Sequence, residues 1–404
     1  MKRIITCGLS MAHDLGSPSI LHGIYQLLKE LYQDDFEMIN LQIGEESSSA
    51  ISDMPFQTRF ITGYRGKKFL MALFFGKHCP AENGGISINE AFQLIQNADV
   101  VIDLYGICFC DKLGINNCPA VLIPLYTAMS FRFSWVAKKF HVRSVKNTAS
   151  YGPANSKYHR KAAKFAKKHL FDCMVAREKQ SLQAMEQLGL GTGILVAPDT
   201  ANLMPYSSEK IFVRPTVGIS TSHQIVKQWK NPENYVQCMA NLCLHIRVCY
   251  DVDVLLIPNE TSPEYTYNDM DVSEEIMRIV EEKNETVQIL DSGNMNSTQI
   301  KNNIAACEVV VASRYHSCVA ALSAGVPLMV IGWHYKYEEL LHWYGQDSWL
   351  LSESDCDSQK MIKMFDALWQ QRDTRRNEIV ERYPFVRAAI LESGQQMLNV
   401  EKRK

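Results

Sequence analysis

The segment that most limits how this chain can fold is residues 307–341, CEVVVASRYHSCVAALSAGVPLMVIGWHYKYEELL. Glu308-Val309-Val310-Val311-Ala312 is a short β-branched run without polar alternation, the pattern of a strand covered on both faces of a parallel sheet. Ser313-Arg314-Tyr315-His316 follows at its C-terminal end. Ser317 to Ala324 is small and apolar, as a tightly packed helix requires, and Gly325 closes it. Pro327 to Gly332 reads as a second buried strand that runs into Trp333-His334-Tyr335-Lys336. Two consecutive parallel strands put Arg314, His316, His334 and Lys336 on one edge of the sheet, the edge where open α/β sheets bind ligands. Two cations, two imidazoles and a helix N-terminus suit a small anion. The structural alternative is a surface arginine, a capping serine and core histidines. Two successive strand ends of this composition favour the functional reading.

At 404 residues the chain exceeds what one core usually holds, so two domains are expected. A net charge of -2 without a long basic run gives nucleic-acid binding little support. The cysteines lack zinc or CxxC spacing: Cys108-Phe109-Cys110 are too close, and Cys238, Cys243 and Cys249 stand alone. Free buried thiols in a reducing cytoplasm are the expected state. The opening MKRIITCGLS has the look of a signal sequence, but Asp14 and Gly16 interrupt it, so a first strand is expected there. No window approaches the roughly 18 apolar residues of a membrane span.

Strand and helix signals alternate along nearly the whole chain, which predicts a parallel α/β architecture. Ile4 to Leu9 is strand-like. Asp14-Leu15-Gly16-Ser17-Pro18-Ser19 forms a turn without the GxGxxG dinucleotide fingerprint, and a helix follows from Ile20 to Leu31. Phe36 to Ile43 is a strand. Between Gly44 and Ser87 lie the basic Tyr64-Arg65-Gly66-Lys67-Lys68 and the apolar Phe69 to Phe75, read as a covered helix in preference to a membrane-surface contact. Ile88 to Asn97 is helical, Ala98 to Gly106 is a strand and turn carrying Asp103 and Tyr105, and Tyr126 to Phe140 is an aromatic, basic helix. His141 to Ser150 is a strand ending at Tyr151-Gly152-Pro153, and Asn155 to Leu170 a strongly basic helix, read as a solvated face in preference to a contact with anionic lipid headgroups. Cys173 to Ala176 delivers Arg177-Glu178 at a strand end. The domain assignment is 1–205, a linker at 206–215, 216–372, and a C-terminal helix at 373–404. The second half repeats the alternation. Val217 to Ser220, Val252 to Ile257 and Thr286 to Leu290 are strands. Pro232 to Val248 (opened by Asn231), Val272 to Glu282 and Ser297 to Ala306 are helices. Pro258-Asn259-Glu260 and an acidic loop from Thr261 to Asp271 lie between them. One helix starts near Asp357 and a second near Thr374.

In this order, the elements resemble the polysaccharide pyruvyl transferases, whose fold is similar to the two-domain GT-B glycosyltransferases. The residues that carry the resemblance are Ser313-Arg314-Tyr315-His316 with ALSAGVP and IGWHYKYEEL. Asp14-Leu15-Gly16-Ser17, Ala98 to Gly106, Tyr151-Gly152-Pro153, Val175-Ala176-Arg177-Glu178 with Ser181, and Pro198-Asp199-Thr200-Ala201 add to it. The chain departs from the family pattern at Leu104-Tyr105-Gly106, at Pro258-Asn259-Glu260 and at Ser17, positions expected to bear on acceptor identity more than on the reaction.

The resemblance implies two Rossmann-like α/β domains facing across a cleft, acceptor on the first and donor on the second, with the C-terminal helix crossing back. It implies transfer of pyruvate from phosphoenolpyruvate onto two hydroxyls of a sugar, giving a cyclic ketal and releasing phosphate. His316 is then the general acid, with Arg314 and Arg177 clamping the donor and Lys336 adding charge. His334, Tyr315, Asp14, Gly16, Ser17, Asp103, Tyr105, Tyr151 and Glu260 complete the expected binding surface, with Asp14, Asp103 and Glu260 as candidate bases. Arg177 also has a structural alternative, pairing with Glu178 or Asp199, and Lys336 has one with Glu339. No cofactor or metal is expected, phosphoenolpyruvate being a co-substrate. The acceptor is expected to be lipid-linked or polymeric, as for capsule, exopolysaccharide and cell-wall sugars. The enzyme would be cytoplasmic, with peripheral contact at the inner face of the plasma membrane through Phe69 to Phe75 and Phe131-Arg132-Phe133-Ser134-Trp135 with Lys138-Lys139. The competing readings are a nucleotide-sugar glycosyltransferase on the same fold and a non-catalytic glycan-binding protein.

Overall fold

The β-branched runs become the inner strands of two separate, wholly parallel sheets. The computed structural model describes residues 1–9, 16–44, 54–82, 84–110, 119–230, 234–262, 265–352 and 357–399. The chain divides into two compact units. The first holds Met1–Ser10, Ile24–Thr200 and Ala389–Lys404, and the second Met11–Gly23 and Ala201–Ala388.

In chain order the first part of the sequence forms β1 (Lys2–Cys7), α1 (Gly16–Tyr32), β2 (Phe36–Ile43), β3 (Gln57–Ile61), α2 (Gly66–Phe75), α3 (Ile88–Gln96), β4 (Val100–Asp103), β5 (Ile107–Cys108), α4 (Ile123–Ser130), α5 (Arg132–Lys139), β6 (Arg143–Tyr151), α6 (Lys157–His169), β7 (Cys173–Ala176), α7 (Lys179–Glu186) and β8 (Ile194–Val196). Its sheet has the order β3-β2-β1-β4-β6-β7-β8, with β5 paired to β6. The rest forms β9 (Thr216–Ser220), α8 (His223–Gln228), α9 (Tyr235–Cys249), β10 (Asp253–Leu256), α10 (Asp269–Glu281), β11 (Gln288–Ile289), α11 (Ser297–Ala305), β12 (Val309–Ala312), α12 (Tyr315–Ser323), β13 (Leu328–Gly332), α13 (Lys336–Tyr344), β14 (Leu350–Ser352) and α14 (Ser358–Leu398). Its sheet is ordered β11-β10-β9-β12-β13-β14. Counted from its own first strand, the second sheet runs 3-2-1-4-5-6, the doubly wound order, and the first has the same 3-2-1-4 core continued by β6, β7 and β8. All four residues of β12 are buried, as are all five of β9 and of β13, which is why these strands show no alternation in the sequence.

Several boundaries differ from the sequence reading, each for a local reason. The helix expected over Tyr126 to Phe140 is two helices, α4 and α5, divided at Phe131 (φ -107°, ψ 46°). Phe131 is buried against Phe109 and Phe171, at ring distances of 6.0 and 5.2 Å, so core packing wins over helical continuity. Residues 57–61 add a strand, β3, that the sequence does not signal. In α2, Phe69, Ala72 and Leu73 face the core and Phe69 meets Phe92 edge-on at 5.4 Å, the covered arrangement, while Phe74 and Phe75 remain exposed. Helix α9 is capped by the Asn234 side chain, which accepts from the Val236 N–H; Asn231 lies outside the described residues.

The two helices expected after Asp357 are one, α14, which passes through Pro384. Its residues from Ala389 onward group with the first unit. There Arg143 Nη2 donates to the Met397 carbonyl at 2.9 Å, and Gly394 lies so close to Leu27 that an added Cβ would fall 2.5 Å from it. No helix among the described residues is long and apolar enough to cross a membrane.

Candidate active site

In the second sheet, β9 and β12 are adjacent but lead to opposite sides of it, β9 onward to β10 and β12 onward to β13. That divergence makes their C-terminal ends the topological switch point. Arg314 sits there as the N-cap residue of α12, with extended backbone (φ -110°, ψ 129°), and Tyr315 and His316 are the first two residues of the helix. Arg314 Nε donates to Asp269 Oδ2 at 2.7 Å and its Nη2 donates to Asp269 Oδ1. The same Nη2 lies 2.9 Å from His223 Nδ1.

Asp269 is fully buried. It also accepts the backbone N–H groups of His223 at 2.8 Å and Glu260 at 3.0 Å. Burial alone would raise its carboxyl pKa, but the Arg314 guanidinium and the His223 hydrogen bonds outweigh burial and lower it to about 2. Around this group a hydroxyl layer ties neighbouring strand ends together. Ser220 and Ser317 share a 2.8 Å hydrogen bond, and Asn259 Nδ2 donates to both hydroxyls. Tyr235 bonds the Ser313 hydroxyl at 2.9 Å, and Tyr337 donates to the Ser313 carbonyl at 3.0 Å.

His316 is half-buried, and its ring lies against the first turn of α1. A Cβ on Gly16 would fall 2.4 Å from His316 Nδ1, so only glycine fits there without displacing the imidazole. A cavity of about 20 Å³, room for one water, is lined by His316, Ser19, Asn259, Lys301 and Ser317. Lys301 donates to the Met204 carbonyl and to Ser323 Oγ, and its burial lowers the ammonium pKa to about 7.

A family model for polysaccharide pyruvyl transferase matches residues 19–335, most of the chain. The chain belongs to the polysaccharide pyruvyl transferase family. It is therefore a transferase of the class that acts in polysaccharide pyruvylation. No curated protein matches it. Among solved structures it is similar to S. aureus MnaA with UDP (15% identity, TM-score 0.58, 100% of this chain and 99% of that one). It is similar also to a UDP-N-acetylglucosamine 2-epimerase (11%, 0.61, 100% and 98%) and to the UDP-GlcNAc 2-epimerase of Methanocaldococcus jannaschii (13%, 0.54, 91% and 92%). At these identities the likeness is one of fold, and the fold is GT-B-like.

Within this family member, the structure gathers Arg314, Tyr315, His316, Gly16 and Glu260 in the second unit, together with His334 and Lys336 at the neighbouring strand end. Ser17, also in that unit, is buried in the first turn of α1. Lys336 is buried. Its ammonium stands 4.9 Å from the Trp333 ring, 5.3 Å from Tyr315 and 5.4 Å from Tyr337, a desolvated cation–π setting. His334 accepts the Lys336 backbone N–H at 3.3 Å and lies on Tyr335 at 4.1 Å. The Glu260 carboxylate accepts from Ser262 N–H, a loop-capping contact.

The remaining expected residues belong to the first unit. Asp103, expected to serve as a base, is buried in a 2.7 Å ion pair with Lys146, whose ammonium also donates to the carbonyls of Asp103 and Tyr105. Tyr105 is partly exposed. Tyr151, expected on the binding surface, is fully buried and donates to the Val175 carbonyl at 3.0 Å, a core position. Asp14 lies outside the described residues. Arg177 realises both of its structural pairings: Nε donates to Glu178 at 2.8 Å, Nη1 to Asp199 at 2.8 Å, and Nη2 to Ser150 Oγ at 2.6 Å.

Sequence reasoning missed His223, Asp269 and Lys146. His223 had a usable signal, since it follows a buried strand just as Arg314 does. Lys146 had one too, because a lysine inside a fully buried strand must be paired. Asp269 had none, lying as it does among other acids at the start of a helix. For Arg177, removing one member of a buried pair strands the carboxylates. Arg177→Ala is therefore expected to lower Tm by roughly 10 °C, measured by differential scanning calorimetry.

Proposed function

We propose that this family member transfers the pyruvate unit of phosphoenolpyruvate onto two hydroxyls of one sugar residue in a polysaccharide or lipid-linked glycan precursor. The observation that carries this reading is Arg314, held rigidly at the switch point, with His316 beside it in the first turn of α12. In the proposed reaction His316 gives a proton to the methylene carbon of the donor, and C2 takes on oxocarbenium character. One sugar hydroxyl bonds to C2 and its proton restores the one His316 gave; the C2–O bond to phosphate then breaks, and the second hydroxyl bonds to C2 to close the ketal, its proton leaving with the phosphate. Arg314 and Lys336 supply positive potential for the donor's carboxylate and phosphate. The Nε/Nη2 edge of Arg314 faces Asp269, so the side-on fork is already used. Arg177 could join the donor site only by exchanging a carboxylate partner.

His316→Ala is expected to reduce turnover by about 10²-fold or more with Tm little changed, and wild-type turnover would remove His316 from the chemistry. Gly16→Ala should also slow turnover markedly, because even a 1 Å displacement of a catalytic group costs on the order of 10²-fold; steady-state assays with phosphoenolpyruvate test both. Thermal shift separates the donors. Phosphoenolpyruvate at 100 times its Kd should stabilise the protein by about 2.7 kcal/mol. Stabilisation by uridine or guanosine diphosphate sugars instead would favour the nucleotide-sugar reading, which the UDP named in the MnaA structure keeps in view.

We further propose that a lipid-linked acceptor is met at an anionic membrane surface. The observation behind this is α6, whose exposed Lys157, Arg160, Lys161, Lys164 and Lys168 share a helix containing no acidic residue. Of the segments first expected to touch lipid, Phe69, Phe131 and Phe133 are core residues, and Phe74 and Phe75 are the exposed aromatic pair. Flotation with anionic liposomes, but not with neutral ones, is the expected result; protein left at the bottom of both gradients would exclude this contact.

A further inference from the structure

We infer that Asp269 is a positioning residue that fixes the plane of the Arg314 guanidinium, and that His223 is its second support. The inference rests on the proposed function only for the identity of the anion that Arg314 holds. Arginine side chains have many rotamers of similar energy, so a catalytic or binding arginine needs a support that selects one. The Nε and Nη2 groups of Arg314 lie on the two oxygens of Asp269, and a two-point contact sets the orientation of a planar group where a single contact would leave it free to rotate.

The support is itself immobile. Asp269 is fully buried in the first turn of α10, and its oxygens accept the backbone N–H of His223, which follows β9, and those of Asn259 and Glu260, which follow β10. Arg314 follows β12. One carboxylate thus ties together the loops after three adjacent strands, at the point where the sheet diverges. The Nδ1 atom of His223 lies 2.8 Å from Asp269 Oδ1 and 2.9 Å from Arg314 Nη2, so the imidazole braces the same pair from the side. Tyr265 covers that ring at 5.4 Å.

An Asn in place of Asp269 keeps the shape but turns one acceptor into a donor that faces donors on Arg314 or on the backbone. Asp269→Asn is therefore expected to raise the Kd for phosphoenolpyruvate by about 10- to 100-fold, read by calorimetry, and to raise KM more than it lowers kcat. A purely structural role would lower Tm and leave the Kd of the folded fraction unchanged, and that result would overturn the inference. Should Asp269→Asn fail to fold, His223→Gln provides the second test. It retains Asp269 and should raise the Kd about 3- to 10-fold, and an unchanged Kd counts against the bracing role.

A readout independent of the substrate is the arginine side-chain N–H spectrum. The Nε–H resonance that disappears in Arg314→Lys should be protected from exchange in the wild-type protein and unprotected in Asp269→Asn. Equal protection in both overturns the inference. Protection lost as expected, in a wild-type protein that does not bind phosphoenolpyruvate, would instead overturn the donor assignment and leave the positioning role standing.

Discussion

A carboxylate withdrawn from water must be matched by charge and by hydrogen-bond donors, or it will not stay ionised. The second unit is built around one that is matched in full. Asp269 has no exposure, yet its charge is held by a guanidinium and by backbone donors from two loops. Its low pKa shows that compensation exceeds the cost of burial. The sign of this linkage is definite. With a folded-state pKa near 2 against an ordinary 3.8, Asp269 contributes stability that is present above about pH 4 and is lost as pH falls toward 2.

The first unit applies the same rule twice. Asp103 is neutralised by Lys146, and Glu178 and Asp199 by Arg177, each pair almost fully buried. Such pairs add little net stability compared with an apolar core, but they tolerate few arrangements, and removing either partner is costly. What distinguishes the Arg314 group is its location. It lies at the divergence of two strands and next to an imidazole that is only half-buried, whereas the Arg177 group is sealed.

Much of this was legible in the chain. The runs around Val311, Val330 and Ile219 identified themselves as doubly covered parallel strands because a strand flanked by helices on both faces needs no polar positions. The polar residues that close such runs, Arg314 and His316 after β12, were legible as candidates for the same reason. The misreadings have a common origin as well. Phe131 interrupts a helical pattern because its ring fills a gap between Phe109 and Phe171, residues distant in sequence. Thr374 is polar enough to suggest a helix start, but with neither Gly nor Pro nearby nothing there interrupts α14.

Sequence alone determined the secondary-structure alternation, the family, and the residue types available at each strand end, because these depend on local pattern and on short motifs. Only the tertiary structure decided which charge met which. Asp269 is one of several acids in its segment, and the winding of the second sheet brings this one, 45 residues before Arg314, beneath the guanidinium. Gly16 is one glycine among many until its α-carbon is found against the His316 ring. Partners of this kind are set by the order and handedness of strand crossovers, which place residues far apart in sequence within a few ångströms and leave no trace in the local pattern of either.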